Sequence, residues 1–114
     1  MAQSETSHLV VFTTFADLGD AKRVVGQLVE KGLIACGTLV PGATSMYRWQ
    51  GEIQEEAETL AILKTDGRCW SQLEETIREI HPYDVPEIVA LPISLGSAPY
   101  LDWITQETAT GGEG

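Results

Sequence analysis

The chain has 114 residues, 43% of them hydrophobic and 21% charged, which is typical of one globular domain. Seventeen acidic and seven basic residues give a formal net charge of -10, which argues against binding to nucleic acids or anionic membranes. Two cysteines, Cys36 and Cys69, are too few for a disulfide scaffold. With no signal-peptide pattern in residues 1–8, we expect reduced thiols and a cytoplasmic location.

The first half of the chain predicts a strand, a helix and a long extended segment. Residues 9–14 form an apolar run rich in β-branched side chains, which favours a central strand. Apolar residues at helical spacing over 21–29 predict a helix that ends at Gly32. Its cap is either Asp17 or Asp20. The extended segment that follows, over 33–47, is broken at Pro41-Gly42, which indicates an edge strand or a bulge.

The second half repeats the pattern after a small hairpin at Gln50-Gly51. A second apolar run over 58–65 predicts another central strand, and a helix over 70–80 is stopped by His81-Pro82. A last strand over 86–93 carries Pro92, which favours an edge, and a short helix begins near residue 99. The order βαββαβ predicts an α+β ferredoxin-like sandwich with an extra hairpin and a C-terminal helix.

The domain and assembly follow from the same pattern. We expect a single domain over residues 1–114, with disordered tails at 1–8 and 109–114. A long edge segment and a hairpin in so small a protein favour strand pairing with another copy of the chain, so we predict an oligomer.

His81 lies in the densest cluster of reactive side chains, together with Tyr83, Asp84 and Glu87. One interpretation makes His81 a metal ligand or an acid/base group, with a nearby carboxylate as its partner. The other makes it a helix-ending residue that interacts with the last carbonyl groups. Composition favours the second interpretation.

The other candidates are equally open to a structural interpretation. Cys36 is either a ligand for a soft metal, a nucleophile or a small buried residue, and the buried residue is favoured. The acidic run from Glu52 to Glu58 either gathers cations loosely or is a solvated face. Lys64 ends an apolar strand and predicts an acidic partner. Aromatic residues either line a cleft or fill an interface, with interface packing favoured: Tyr47, Trp49, Tyr83, Tyr100 and Trp103.

Several segments together resemble the CutA divalent-cation tolerance family. They run over residues 9–108 and include Val40-Pro41-Gly42-Ala43-Thr44-Ser45-Met46-Tyr47, Leu63-Lys64-Thr65, His81-Pro82-Tyr83-x-x-Pro86-Glu87 and Tyr100-Leu101-x-Trp103. The resemblance implies a ferredoxin-like homotrimer with a role in tolerance of copper and other divalent cations, and no enzyme activity.

The resemblance also implies a set of site residues. His81, Glu58 and Cys36 are the candidate metal ligands, and Lys64, Tyr83, Glu87 and Trp103 are the candidate residues of an inter-subunit cleft. Some bacterial members carry a cysteine where this chain has Thr13, or a second histidine where it has Ile80, so we expect weak cation binding mainly by carboxylates. If His81 takes part, copper(II) or zinc is preferred over magnesium, and binding weakens below pH ~6.5.

Two other functions compete with cation binding. The family resembles the PII signalling proteins, so an alternative is a signalling module that binds a small anionic effector in its clefts, with Lys64 and Arg48 as contacts. The third is an enzyme that uses Cys36 and His81, which requires an exposed thiol of low pKa.

Overall fold

The computed structural model describes residues 8–113, with side chains as far as Thr108. Four strands form one antiparallel sheet in the order β2-β3-β1-β4, so the first and third strands are central, as predicted. This confirms the ferredoxin-like α+β arrangement. The elements in chain order are β1 (His8–Phe15), α1 (Leu18–Glu30), β2 (Cys36–Trp49), β3 (Glu52–Asp66), α2 (Trp70–Ile80), β4 (Val89–Pro92) and α3 (Ala98–Glu113).

The first helix begins and ends where its sequence predicts. Of the two candidate caps, Asp17 is the one used, because its carboxylate accepts a hydrogen bond from the backbone N–H of Asp20 at 2.8 Å. The chain leaves α1 through Gly32, whose φ of 74° lies in the left-handed region that glycine adopts without strain. Val29 differs from the prediction: it is exposed, because it lies beside the buried stripe of the helix and not within it.

The hydrophobic core lies between α1, α2 and one face of the sheet. It is formed by alternate residues of the two central strands and by the buried stripes of both helices: Val11, Phe15, Ala61, Leu63, Ala21, Val24, Val25, Leu28, Leu73 and Ile77. Loop residues Leu33 and Ile34 complete it. Gly37 on β2 is required here, since a Cβ atom would lie 2.5 Å from a methyl carbon of Val25.

The opposite face of the sheet, which we call the open face, is only partly covered. Val10, Phe12 and Ile62 on its central strands are half-buried, and Val89 and Leu91 on β4 are exposed. The apolar runs of β1 and β3 predicted strands covered on both sides, whereas a single chain covers only one side with α1 and α2. Apolar side chains on the open face therefore remain available for contacts outside the chain.

Helix α3 is anchored by a polar network around the buried Asp66, at the end of the sheet where β1 begins and β3 ends. Asp66 accepts hydrogen bonds from the Thr105 hydroxyl at 3.0 Å and from the backbone N–H of Arg68 at 3.0 Å. The Arg68 side chain lies 3.2 Å from the same carboxylate and also donates to the Thr105 carbonyl. His8 Nε2 lies 2.9 Å from the Thr105 hydroxyl and completes the network. Ile104 is fully buried beneath it.

Other bounds differ from those predicted. β4 covers only Val89–Pro92 and not 86–93, because Pro86 has no N–H for the ladder and residues 82–88 form a loop. The small hairpin at Gln50-Gly51 is not a separate element, because it is the tip of the long hairpin that β2 and β3 form. His8 was predicted to lie in a tail, but it belongs to β1 and pairs with Asp66 of β3. Residues 109–113 were placed in the other tail, but α3 extends to Glu113.

The remaining tail residues, 1–7 and 114, lie outside the described part of the chain. Among the helices that are described, none is long and apolar enough to cross a membrane.

Candidate functional site

A groove with a volume of about 870 Å³ opens at the end of the sheet opposite α3. One wall is the distal part of the β2–β3 hairpin, residues 43–58, which we call the arm. The other wall is the loop over residues 82–88, and the end of β1 forms the floor. Its lining includes hydroxyl, aromatic and carboxylate side chains: Ser45, Tyr47, Trp49, Glu56, Glu58, Tyr83, Asp84 and Glu87.

A β-bulge decides which arm residues face the groove. Val40 pairs with Leu60 and Ala43 with Glu58, so β2 advances three residues where β3 advances two. Side chains alternate along a strand, and the extra residue therefore reverses the alternation of β2 beyond Gly42. As a result Ser45 and Tyr47 lie on the same face as Glu56 and Glu58.

Gly42 fits the bulge because its φ of 85° lies in the left-handed region. The sequence break at Pro41-Gly42 predicted an edge strand or a bulge, and β2 has both features.

Glu58 is the centre of the groove's hydrogen bonds. One carboxylate oxygen accepts from the Ser45 hydroxyl on β2, and the other accepts from the Tyr83 hydroxyl at 2.6 Å. Burial, followed by this hydrogen bond and the charge of Glu58, raises the pKa of Tyr83 well above its usual value. Tyr83 therefore stays protonated and ties the loop to the arm.

The same negative charge also acts on the hydroxyl of Tyr47. Burial and the charges of Glu56 and Glu58 raise the pKa of Tyr47 above its usual value. Glu56, Glu58, Asp84 and Glu87 all line the groove, whereas none of its lining residues is lysine, arginine or histidine, and all of them belong to the described chain. The groove is therefore strongly negative.

His81 lies behind the groove and not in it. Only 6% of the residue is exposed, and its ring stacks on Phe15 with the ring centres 4.4 Å apart. Nε2 lies 2.8 Å from the carbonyl oxygen of Thr14, and Nδ1 accepts from the backbone N–H of Tyr83 at 3.1 Å. Since a carbonyl only accepts, Nε2 carries the proton and the ring is neutral. Burial lowers the pKa of His81, in agreement with this state.

Cys36 belongs to a second cluster, which we call the thiol cluster. Its Sγ lies 3.6 Å from the hydroxyl of Tyr100, whose ring stacks on Trp103 with the ring centres 5.6 Å apart. The Nζ of Lys64 lies 5.8 Å from the centre of the Tyr100 ring. Lys64 is opposite Cys36 in the β2–β3 ladder, about 20 Å along β3 from Glu58 at the usual rise per residue.

The predicted sites are therefore divided within one chain. Of the candidate metal ligands, Glu58 lines the groove, His81 is buried behind it, and Cys36 is in the thiol cluster. Of the candidate cleft residues, Tyr83 and Glu87 line the groove. Lys64 and Trp103 do not, because strand register and α3 place both of them in the thiol cluster.

Two alternative functions, the enzyme and the effector-binding module, depended on side chains that lie apart within one chain. The enzyme interpretation needed Cys36 beside His81, but the two side chains have different partners at different ends of the sheet. The anionic effector was expected in clefts between subunits, with Lys64 and Arg48 as contacts; within one chain neither residue lines the acidic groove, and the alternative stays a prediction. Among the described side chains, no group of three or more His, Cys, Asp or Glu residues converges to hold a metal ion.

Ser45 was not predicted as a partner of Glu58, and Glu56 was not distinguished from the rest of the acidic run. The only signal for either was the alternation of side chains along the arm. That signal can be used only once the bulge is known, because the bulge reverses the pattern on one of the two strands.

The profile of the CutA1 divalent ion tolerance protein family matches residues 9–107. The chain belongs to this family. The divalent-cation tolerance protein CutA of Thermus thermophilus is 46% identical over 99 residues, which cover 87% of this chain and 96% of that protein. The protein named CutA 1, chloroplastic, of Oryza sativa is 40% identical over 88% of this chain, and the match spans 56% of its length.

The family relationship extends to solved structures. The crystal structure of CutA from Xylella fastidiosa superposes with a TM-score of 0.87 at 36% identity, over 90% of this chain and 98% of that one. The resemblance drawn from residues 9–108 is thereby confirmed, and so is the general link to divalent-cation tolerance.

Proposed function

We propose that the chain contributes to tolerance of divalent cations, copper among them, by binding the ions weakly in the groove of a homotrimer. The observation that carries this is Glu58, a half-buried carboxylate whose described partners are the neutral hydroxyls of Ser45 and Tyr83. Its charge is not neutralised by any lining residue of the groove, and three further carboxylates lie nearby. Membership of a family named for divalent ion tolerance supports the proposal. We assign no catalytic activity.

The ligands in this proposal are carboxylates and not the imidazole. Both nitrogens of His81 already have partners, so the preference for copper(II) or zinc over magnesium that depended on His81 is no longer expected. Oxygen ligands that do not converge bind weakly, with a dissociation constant above about 1 µM. Binding should stay constant between pH 7.5 and 6, where an imidazole ligand would take up a proton.

Calorimetric titration with copper(II) and manganese(II) tests the site. Glu58→Gln should weaken binding several-fold, whereas Glu30→Gln, which removes the same charge from the exposed end of α1, should leave it unchanged. If both variants weaken binding equally, the groove is not the site. If binding falls near pH 6.5 and His81→Gln removes that dependence, the imidazole is a ligand after all.

The homotrimer is part of the proposal and rests on the surfaces that one chain leaves uncovered. The open face carries half-buried Phe12 and Ile62 with exposed Val40, Val89 and Leu91, and both edge strands, β2 and β4, have a free side. Covering such a face with copies of the same chain buries apolar surface and pairs the edges. Light scattering should give three times the chain mass at micromolar concentration, and a stable monomer contradicts the assembly.

A cytoplasmic location completes the proposal. Cys36 and Cys69 are both free thiols, which suits a reducing compartment. Cell fractionation tests this directly, and recovery of the protein from an oxidising compartment contradicts it.

A further inference from the structure

The groove is larger and its charges more widely spread than a single metal ion requires. Its volume of about 870 Å³ lies within the range of pockets for small organic ligands. Metal ions are held by ligands that converge on one point, and no three His, Cys, Asp or Glu residues converge in this way among the described side chains. Four carboxylates nevertheless line the groove: Glu56, Glu58, Asp84 and Glu87. Such a set matches several positive charges separated along one molecule.

Aromatic surface lies between these charges. Tyr47, Trp49 and Tyr83 line the groove, and Trp49 is 60% exposed in the single chain. Aromatic faces attract ammonium groups and also pack against methylene chains. The combination of carboxylates and rings therefore suits a cation that has apolar segments, which a hydrated metal ion does not have.

The hydroxyl groups of the groove add a third feature. Ser45 and Tyr83 donate to Glu58 and fix the direction of its carboxylate without neutralising its charge. Each of its oxygens keeps acceptor capacity for a further N–H donor. An ammonium group is such a donor, and it loses less on leaving water when carboxylates and an aromatic face replace its hydration shell.

We propose that the groove binds a small aliphatic polyamine, with ammonium groups on Glu56 and Glu58 and methylene segments against Tyr47 and Trp49. The inference rests on the groove used in the proposed function and gives it a second, organic class of cation. The amine and the divalent cation then compete for the same carboxylates.

Calorimetric titration of the assembled protein with spermidine at neutral pH and low salt tests the proposal. The double variant E56Q/E58Q should weaken binding about tenfold, and E30Q should leave it unchanged. Tyr47→Leu should weaken binding about threefold, whereas Tyr47→Phe, which keeps the ring, should not. Tetramethylammonium, a single charge without N–H donors, should bind much more weakly than spermidine.

Three results overturn the inference: no binding of spermidine, equal loss in E30Q and E56Q/E58Q, or binding that does not respond to Tyr47→Leu. The same variants are titrated with manganese(II) in parallel. If manganese(II) binds through Glu58 and spermidine does not bind, the polyamine proposal is wrong and the proposed cation function stands. If spermidine binds and no divalent cation does, the proposed function fails and the polyamine site stands.

Discussion

Asp66 and Glu58 are both carboxylates on β3, yet the two ends of the sheet surround them differently. Asp66 is buried, accepts from a backbone N–H and a hydroxyl, and forms an ion pair with the Arg68 guanidinium, so its charge is used within the chain. Glu58 accepts from two hydroxyls and has no described cationic partner. A carboxylate with an internal counter-charge stabilises the fold, whereas one with neutral partners remains able to attract a ligand.

The sharpest test of this comparison is a matched pair of amide substitutions. Asp66→Asn should lower the free energy of unfolding by about 2 kcal/mol, because it removes the buried negative charge that pairs with the Arg68 guanidinium at 3.2 Å. Glu58→Gln should cost less than about 1 kcal/mol, because the hydroxyls of Ser45 and Tyr83 can rotate and accept from the new amide. Urea denaturation at pH 7 measures both, and equal costs contradict the comparison.

His81 supports the groove end through its neutral ring, which predicts a pH dependence. Burial holds the pKa of His81 below its unfolded value, so the unfolded chain takes up a proton first as pH falls below about 6.5. The free energy of unfolding should therefore fall between pH 7.5 and 5.5, by at most about 1.4 kcal/mol per pH unit.

His81→Phe preserves the stacking on Phe15 and removes the titrating group, so it should flatten this slope in urea denaturation. His8→Gln, at the α3 end, is the control and should keep the contribution of His81. A slope that survives His81→Phe unchanged assigns the pH dependence to other groups.

Two threonines on the central strands give the smallest predicted effect. Thr13 Oγ1 is buried and has no hydrogen-bond partner among the described residues, whereas Thr65 Oγ1 donates to the carbonyl of Leu33 at 2.7 Å. Thr13→Val should stabilise the fold by about 1 kcal/mol, and Thr65→Val should destabilise it by about the same amount. Thermal or urea unfolding distinguishes the two, and a shift of the same sign in both variants contradicts the hydrogen-bond assignment.

The sequence predicted the fold well because its signals are local. The Asp17 cap, the Gly32 exit and the apolar run of β1 are each decided within a few residues, and the strand order follows from the βαββαβ pattern. The length of β4 was overestimated because the apolar residues around Ile88 pack against the core without joining a ladder. Composition cannot distinguish these two ways of burying a side chain.

The site was predicted less well because its contacts are distant in sequence. His81 meets the carbonyl of Thr14, and Glu58 meets Tyr83, only after the sheet and α2 have formed. The motif at residue 81 therefore drew attention to the right segment, but its residues alone left open whether His81 binds a metal ion or ends the helix. Lys64 was expected to have an acidic partner, and the partner found is the ring of Tyr100, which only the position of α3 reveals.

The bulge at Pro41-Gly42 has a consequence for how this family can change. Point substitutions alter the arm one side chain at a time, but deletion of Gly42 alone would remove the extra residue of β2. Val40 would still pair with Leu60 and Ala43 with Glu58, and regular alternation through Pro41 would keep Ser45, Tyr47 and Trp49 facing the groove. A single codon deletion would thus remove the bend and the added twist that a bulge gives its strand, and would change the shape of the groove without exchanging its side chains.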